Sequence, residues 1–583
     1  MIFDKIKNDK YLQFIILFSI FITIALIYIN STTNFLGIYF VDPYFYLIQA
    51  LRYAGYDIGG YAFINYFPPL VPFLTSLLFR LGIVGDYSIF LVTGIFYIPA
   101  VIGVYALLKY RFDEQYAFIG ALFYGSISVN IMWVANGTID IPSVAFSIWA
   151  FYTFILAIEK NQKYFYLSIP LVVLSFFAKY IGVLVIFGML MYVLSKKDIF
   201  SNIAKYIKHF IGGVIVSFIF IIPFLAHYYI NKIPFGFLNQ ASNIASTTTT
   251  SVSSATIYVP PNDLLFYLFF IPRFVCKYIP IVGIPILIIL IMVVAYVLYR
   301  LKDNLKRDYK TIPNKINLSF FNRIKLSKNV FYGIIILSII LFALSFLLAG
   351  TISFITCELI FFIGIMLFSI SFNSIYDNGK YEFFNFDIAT YTWFFSYLIF
   401  FSAHLIKADR YFIIHAPSFT IIIIFGLTLI IRYLHTYSKN YDSLKASNRT
   451  IDNIKVKLVI WNKKYKLTQL IPVIFVILCL ISSLGYLAMD KHDTLVDDEK
   501  QTALWIKGNL PDNVTLCADR GPIFTWYLQK GVVYNKDSIP INNMSTFLKD
   551  NNASYYISLK GFEIQNLTIV KHIGKVTIYK NMV

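Results

Sequence analysis

Two short motifs, VDPYFY at residues 41–46 and YFPPLVP at residues 66–72, follow the first long apolar run of the chain, residues 11–29. A membrane span that ends near residue 29 would deliver Asp42 to the interface between water and lipid, beside aromatic side chains. A carboxylate at that depth is unfavourable unless it has a partner or a function. Asp42 could equally cap an interfacial helix that has Pro43 in its first turn, and the two roles can coexist.

The composition of the chain is that of a membrane protein. The sequence has 583 residues, of which 58% are hydrophobic, and its mean hydropathy is +0.70, an apolar content that no soluble globular domain needs. Charged residues make up only 14% and lie in blocks between apolar runs of about 20 residues, the length that spans a bilayer. We therefore predict a polytopic α-helical membrane protein with about 13 transmembrane helices and a small external α/β domain at the C-terminus.

The distribution of charge predicts how the chain is oriented. The predicted spans are residues 11–29, 87–108, 116–134, 139–158, 164–178, 180–194, 207–230, 280–299, 330–349, 352–373, 388–405, 411–433 and 468–488. Placing the N-terminus in the cytoplasm puts most Lys and Arg residues of the membrane region in loops on that side, as the positive-inside rule requires. This explains the net charge of +19, so we do not predict nucleic-acid binding. We expect an integral protein of the plasma membrane with a cytoplasmic N-terminus.

Three stretches of the sequence lack the pattern of a single long transmembrane helix. Residues 164–194 hold two short apolar runs that Lys179 interrupts, and residues 263–279 are predicted to lie in the interface. The polar stretch 241–256 could be a lid over a site or a loose loop.

The composition becomes polar after Met489, which predicts a division into a transmembrane domain, residues 1–489, and an external α/β domain, residues 490–583. The predicted elements of the second domain are a helix near residues 497–508 and strands at 514–518, 555–559 and 575–579. N-glycosylation sequons occur at Asn513, Asn543, Asn552 and Asn566, a weak pattern that fits an external surface.

The cysteine and histidine residues do not indicate a disulfide framework or a metal site. The four cysteines are Cys276, Cys357, Cys479 and Cys517, three of them in or beside apolar runs. No Cys and His cluster suggests a metal, and we predict no cofactor.

Charged and aromatic residues collect at the predicted external surface, where the long first loop, residues 30–86, also lies. The acidic ones are Asp42 and Asp140, the basic ones are Lys179, Lys407 and Arg410, and the residues near them are His404, Asp409, Tyr44, Tyr46, Tyr66 and Trp133. Such a set at headgroup depth suits a sugar linked to a lipid phosphate. The cations would hold the phosphate, aromatic rings would pack on the sugar, and a carboxylate could take a proton from an acceptor hydroxyl.

Each of these residues also has a structural interpretation. Asp140 could simply begin the helix that follows it, and Lys179 could anchor a span by snorkelling to the interface. His404 could be a structural interfacial histidine. Residues 407–411 could form an ordinary charged turn with a local ion pair.

The order and sidedness of these motifs resemble the GT-C class of membrane glycosyltransferases, on the branch of protein O-mannosyltransferases and bacterial aminoarabinose transferases. The motifs that carry the resemblance are DPYFY at 42–46, YFPPLVP at 66–72, NGTID at 136–140, FAKYIG at 177–182 and HLIKADRY at 404–411. Each motif is short, but together they extend over most of the chain. The span count and the small external C-terminal domain are also similar to that branch.

The resemblance implies transfer of a sugar from a polyprenyl-phosphate donor to an external glycan, glycolipid or surface protein, with inversion. Membrane lipids are the other expected partner. Asp42 is the expected catalytic base, Lys179 and Arg410 are expected to bind the donor phosphate, and Lys407 is added to them because it lies in the same motif. The expected substrate-binding residues are Asp140, Tyr46, Tyr66 and His404.

The sequence departs from the family pattern in the first loop. Relatives often carry an acidic pair where this chain has Asp42 and Pro43, and some carry a charged residue where it has Phe67, which leaves the acceptor open. No Trp-Trp-Asp signature is present, which argues against an oligosaccharyltransferase. The alternatives are a transporter or flippase of a lipid-linked sugar and an envelope scaffold. A transporter predicts inverted repeats and charged or broken spans at the midplane, and we find no internal repeat.

Overall fold

The computed structural model of the protein describes most of the chain. The described residues are 8–33, 36, 41–58, 67–196, 203–232, 236–238, 264–311, 315–317, 325–349, 351–375, 382–404, 407–439, 467–489, 494–535, 543–559, 561, 564 and 566–582. The stretch 241–256, in which a lid or a loose loop is predicted, lies outside them.

Helices make up most of the described chain. The first eleven are α1 (Lys10–Thr32), α2 (Asp42–Ala54), α3 (Leu70–Arg80), α4 (Asp86–Ile95), α5 (Tyr97–Arg111), α6 (Glu114–Ser126), α7 (Ser128–Trp133), α8 (Asp140–Glu159), α9 (Phe165–Ala178), α10 (Val185–Leu194) and α11 (Ile203–Ile230). The next eight are α12 (Phe266–Phe269), α13 (Ile271–Val275), α14 (Pro280–Thr311), α15 (Lys328–Leu347), α16 (Phe354–Ile375), α17 (Phe384–Ala403), α18 (Phe412–Lys439) and α19 (Leu467–Met489).

The predicted fold class is confirmed. Each predicted span coincides with one helix or with two consecutive helices. By length and composition, eight helical stretches in the described part of the chain could cross a membrane, and four shorter apolar helices accompany them. The protein is therefore an integral membrane protein with multiple spans.

The predicted span 116–134 is divided into α6 and α7 at Ile127. The backbone of Ile127 leaves the helical conformation there, and the side chain of Asn130 donates a hydrogen bond of 2.7 Å to the carbonyl of Tyr124. Because the last carbonyls of a helix lack partners within it, this side chain stabilises the break inside an apolar environment.

A second break, at Lys179, separates α9 from the turn Tyr180–Leu184 that leads into α10. Lys179 is extended, with φ −154° and ψ 122°. A Cβ atom at Gly182 would overlap the hydroxyls of Ser175 and Ser143, which hold the turn against α8. A glycine is therefore required for this close approach, and the interruption predicted at Lys179 is confirmed.

Short helices lie beside the long ones at the same end of the membrane domain as Lys179. Pro43 lies in the first turn of α2, where its missing N–H and fixed φ suit the start of a helix. Gly55 ends α2 in the left-handed conformation, with φ 98°, which glycine adopts without strain. Within the predicted interfacial stretch 263–279, α12 and α13 have 4 and 5 residues, too few to span a bilayer.

The predicted cytoplasmic loop at residues 300–328 contains more structure than its sequence indicates. Helix α14 continues to Thr311, beyond the predicted end of its span at residue 299. Two short strands, β1 (Lys315–Asn317) and β2 (Lys325–Ser327), then form an antiparallel pair.

The C-terminal domain is a mixed sheet with three helices. Its elements are α20 (Leu495–Asn509), β3 (Leu516–Ala518), α21 (Gly521–Leu528), β4 (Val533–Tyr534), α22 (Met544–Asp550), β5 (Tyr555–Ser558), β6 (Leu567–Ile573) and β7 (Val576–Asn581). The strand order is β4-β3-β5-β7-β6, with parallel pairing of β3 to both β4 and β5 and antiparallel pairing at β7. The predicted helix and three strands correspond to α20, β3, β5 and β7. Strand β6 is missed because its residues are largely exposed and show no alternation.

Candidate active site

A cavity of about 450 Å³ lies where α2, α8, α17 and the turn at Lys179 meet. Most of its lining is apolar and aromatic, including Phe67, Phe176, Val183, Phe354, Phe400 and Phe401. The charged residues that line it are Asp42, Asp140, Lys179 and Arg410. A mostly apolar cleft with a few convergent polar groups is the usual form of a ligand site.

Asp42 and Arg410, 368 residues apart in the sequence, form an ion pair at this cavity. The Nη2 atom of Arg410 donates to Oδ2 of Asp42 at 3.0 Å. Asp42 is the first residue of α2, and the capping position before it is occupied by Val41. The carboxylate therefore faces a cation rather than capping its own helix, and 29% of it remains exposed.

The second ion pair joins Lys179 to Asp140. The Nζ atom of Lys179 donates to Oδ1 of Asp140, whose side chain is only 1% exposed, whereas that of Lys179 is 15% exposed. Asp140 begins α8, where a negative charge also interacts favourably with the helix dipole. The helix-start role and the ion pair thus coexist at Asp140, and the lysine is the more accessible member.

The ring of Tyr411 lies between the two cations. The Nζ atom of Lys179 is 4.8 Å from its centroid, and Cζ of Arg410 is 5.4 Å from it. Phe401 stacks on the same ring, with 4.7 Å between centroids. Tyr411 therefore contacts both positive charges at the cavity and stabilises them by cation–π interaction.

Tyr46 lines the cavity beside Asp42. Burial raises the pKa of the Tyr46 phenol well above its ordinary value, and the nearby carboxylate of Asp42 raises it further. The phenol consequently keeps its proton at neutral pH and can donate a hydrogen bond to a ligand. Phe67 packs against it edge to face, with 5.4 Å between ring centroids.

The other three residues expected from the sequence have different locations. His404 lines the cavity at the end of α17, with its ring centroid 5.9 Å from that of Tyr411. Tyr66 lies outside the described residues. Lys407 is buried away from the cavity, and its Nζ donates to the carbonyls of Phe401, Ser402 and His404 at 2.6, 2.6 and 2.7 Å.

These contacts give Lys407 a structural role. The carbonyls at the end of a helix lack partners within it, and a lysine can supply the missing donors. Lys407 in this way closes the end of α17 and supports the turn that carries Arg410. We therefore leave Lys407 out of the phosphate-binding set.

Two charged residues of the turn at residues 407–411 form ion pairs with residues outside the turn. Asp409 pairs with Lys277, whose Nζ lies 2.6 Å from its Oδ2, while Arg410 pairs with Asp42. Each end of the dipeptide is thereby tied to a different part of the chain, which holds the guanidinium in place. Sequence reasoning missed the role of Lys277, and the signal that could have found it is that Lys277 is one of the few cations in the predicted external loops.

An apolar groove of about 440 Å³ adjoins the charged cavity. The two spaces share Phe176, Tyr180, Val183 and Phe237 as lining residues. The groove continues between α9 and α11, along Ile169, Val172 and Phe224. A charged cavity that opens into an apolar groove suits an amphipathic ligand with an anionic head. Among the described residues, no group of three or more His, Cys, Asp and Glu side chains could hold a metal ion.

Comparison with known protein families identifies part of the chain. Residues 67–227 match the family of dolichyl-phosphate-mannose-protein mannosyltransferases. This segment includes Phe67, Asp140 and Lys179, but neither Asp42 nor Arg410. No curated protein matches the sequence.

Among solved structures, the chain is similar to ArnT from Cupriavidus metallidurans bound to undecaprenyl phosphate. The TM-score is 0.53 at 10% sequence identity, and the alignment covers 97% of each chain. The oligosaccharyltransferase of Archaeoglobus fulgidus has a TM-score of 0.45 at 13% identity, over 94% of this chain and 70% of that one, and no argument rests on it. The similarity to ArnT establishes a shared fold.

The family match and the fold agree with the motifs of the sequence. The family match covers residues 67–227, and the structural alignment with ArnT covers 97% of the chain. The family match over residues 67–227 and the ArnT-like fold bear out the resemblance that the motifs indicate: the chain is similar to the dolichyl-phosphate-mannose-protein mannosyltransferases over that segment and to ArnT in its fold.

Proposed function

We propose that this protein is a glycosyltransferase, and that it transfers a monosaccharide from a polyprenyl-phosphate carrier to a hydroxyl group of an external glycan, glycolipid or surface protein, with inversion. The observation that carries the proposal is the convergence of two carboxylate–cation pairs in one cavity that opens into an apolar groove. The matched family acts with dolichyl-phosphate-mannose, and the similar ArnT structure contains undecaprenyl phosphate, which supports a donor of this type.

The donor phosphate is proposed to lie between Lys179 and Arg410, beside Tyr411. Both cations line the cavity, at 15% and 12% side-chain exposure, so an anion can reach them without unfolding any helix. Charge-assisted hydrogen bonds from lysine and arginine are the strongest common contacts to phosphate. The carrier's hydrocarbon chain would then follow the adjoining groove.

Donor binding would change the ion pair at Asp42. In this structure Arg410 donates to this carboxylate. A phosphate that takes the Arg410 hydrogen bond would release Asp42 to face the acceptor. The donor would therefore bind before the acceptor, and Asp42 would stay paired with Arg410 until the donor phosphate is bound.

The proposed chemistry is a single displacement. The acceptor oxygen attacks the anomeric carbon, the bond from that carbon to the phosphate oxygen breaks, and Asp42 takes the acceptor proton. Lys179 and Arg410 stabilise the negative charge that develops on the leaving phosphate. Attack opposite the leaving group inverts the anomeric centre. Tyr46, Asp140 and His404 are the proposed contacts to the sugar and acceptor.

The proposed sidedness can be tested with engineered cysteines. The four native cysteines are buried and should not react with an impermeant maleimide. Ser554 and Lys163 are exposed and lie in the C-terminal domain and in the loop between α8 and α9. We expect labelling of Ser554→Cys in intact cells and labelling of Lys163→Cys only after permeabilisation. The reverse pattern would place the cavity in the cytoplasm and overturn the proposed topology.

The function is tested by reconstituting purified protein in liposomes with labelled polyprenyl-phosphate sugars and candidate acceptors. Release of polyprenyl phosphate with label on the acceptor supports a transferase, and NMR of the product reports inversion or retention. Movement of intact donor across the bilayer without turnover would instead indicate a flippase. Neither turnover nor movement with any polyprenyl-phosphate sugar would favour a scaffold.

A further inference from the structure

The C-terminal domain packs on the helix that carries Asp42. The hydroxyl oxygens of Tyr44 in α2 and Tyr527 in α21 lie 3.3 Å apart, and their ring centroids are 5.9 Å apart. Phe45 in α2 contacts Tyr534 of β4, with 6.1 Å between centroids. The C-terminal domain thus contacts α2 through Tyr44 and Phe45.

Asp86, the first residue of α4, accepts hydrogen bonds from the C-terminal domain. The Nε1 atom of Trp526 donates to Oδ1 of Asp86 at 2.6 Å, and the hydroxyl of Tyr527 donates to Oδ2 at 3.2 Å. Both carboxylate oxygens therefore accept from α21. Hydrogen bonds to an ionised carboxylate are roughly twice as strong as neutral ones.

The ring of Trp526 makes a second contact that is independent of its N–H group. It stacks on Phe79 of α3, with 5.8 Å between centroids and 23° between planes, and only 5% of the residue is exposed. Helix α3 packs directly against α2. One tryptophan consequently links the C-terminal domain to α3, which lies within the first loop, and to α4, which begins at the end of that loop.

Helix α2 presents different residues to the two sides. Asp42 and Tyr46 line the cavity, whereas Tyr44 and Phe45 face the C-terminal domain. The helix has 13 residues, a length at which an isolated helix is only marginally stable, so α2 depends on its tertiary contacts. Because a displacement of about 1 Å at a reacting group can cost about a hundredfold in rate, the position of α2 matters for a base at its first residue.

We propose that Asp86 and Trp526 are positioning residues, through which the C-terminal domain holds α2 and so sets the location of Asp42. The inference rests on the proposed function, in which Asp42 is the base. It gives the C-terminal domain a role in the reaction although none of its described residues lines the charged cavity.

The test uses two conservative variants and a matched control. Trp526→Phe keeps an aromatic ring on Phe79 and removes the N–H donor, and Asp86→Asn keeps the shape and removes the charge. Leu548→Ala is the control, because Leu548 is fully buried in the C-terminal domain, in a cluster with Met544 and Tyr556 that contains no residue of α2. We expect a fall in kcat of at least about tenfold in both conservative variants, with the KM for donor unchanged, and normal kcat per folded molecule in the control.

The effect should also depend on Asp42. In an Asp42→Asn background, Trp526→Phe should lower kcat no further, because there is no base left to position. The inference is overturned if both conservative variants keep the wild-type kcat, if the fall persists in full in the Asp42→Asn background, or if Leu548→Ala lowers kcat as much. Loss of activity in Asp42→Asn together with normal kcat in Trp526→Phe would reject the positioning role and leave the proposed function standing. A wild-type protein without any turnover would reject both.

Discussion

Arginine–aspartate ion pairs occur at both ends of the membrane helices, and they differ in geometry and in surroundings. At one end, Arg410 contacts a single oxygen of Asp42 and lines a cavity. At the other end, Arg111 binds both oxygens of Asp387, through Nε at 2.9 Å and Nη2 at 3.1 Å. Helix α17 runs from one end to the other, about 30 Å for its 20 residues.

Burial does not distinguish the two pairs. The side chains of Arg410 and Asp42 are 12% and 29% exposed, and those of Arg111 and Asp387 are 14% and 24% exposed. The Arg111 guanidinium is instead packed by the aromatic rings of Phe112, Phe383 and Phe425, whose centroids lie 5.1, 4.5 and 5.8 Å away. A bidentate pair closed by aromatic rings stabilises the fold, whereas a single contact beside a cavity can be exchanged for a ligand.

The largest expected effect is the loss of turnover in Asp42→Asn. A positioned carboxylate typically contributes about 10²–10⁴-fold as a general base, and asparagine has nearly the same shape without the basicity. We expect a folded protein that binds donor normally and turns over at least about a hundredfold more slowly. Donor binding by titration and kcat from release of polyprenyl phosphate are the measurements. Wild-type turnover in this variant would move the base to another residue, with Asp140 the next candidate.

Breaking the ion pair between Arg111 and Asp387 should lower the stability of the protein and leave catalysis unchanged. Arg111→Met leaves the partly buried carboxylate of Asp387 without its bidentate partner, which costs less than the ~3–5 kcal/mol of breaking a fully buried pair but more than the loss of an exposed one. We expect a clear fall in the thermal unfolding midpoint in detergent, with unchanged donor KM and kcat per folded molecule. A loss of turnover without a loss of stability would contradict the distinction between the two pairs.

Removal of the lysine charge at the cavity should weaken donor use. A hydrogen bond to a charged group contributes about 1.5–3 kcal/mol, so Lys179→Met should lower kcat/KM about ten- to hundredfold. Lys179→Arg is the matched control, since it retains the charge beside Asp140, and it should recover part of the loss. Equal kcat/KM in the wild type and both variants would place the phosphate elsewhere.

The smallest effect is expected for an exposed ion pair that lies at the same end of the membrane helices as Arg111. Lys196 contacts Glu159 at 2.7 Å with side chains 24% and 28% exposed, and exposed pairs contribute about 0–1 kcal/mol. Lys196→Met should therefore shift the unfolding midpoint by no more than a few degrees and leave the donor kcat/KM unchanged. A larger loss of kcat/KM would show that substitutions far from the cavity alter catalysis non-specifically.

Hydropathy and charge in the sequence alone predicted the spans, the change of composition after Met489 and the cations on one predicted side. These features are local, because each follows from the transfer of about 20 consecutive residues into a bilayer. The same reasoning selected Asp42, Asp140, Lys179 and Arg410, which the structure brings together at one cavity. The motif that contains Arg410 also contains Lys407, and nothing local separates the two.

Only the tertiary structure decided which charges meet. The partner of Asp42 lies 368 residues away, and the three carbonyls that bind Lys407 become accessible to it only where α17 ends. Trp526 and Asp86 are 440 residues apart, and no pattern in the sequence predicts the contact between them. An ion pair forms over a few ångströms between elements that packing brings together, so its energy depends on distances in space that spacing along the chain does not encode.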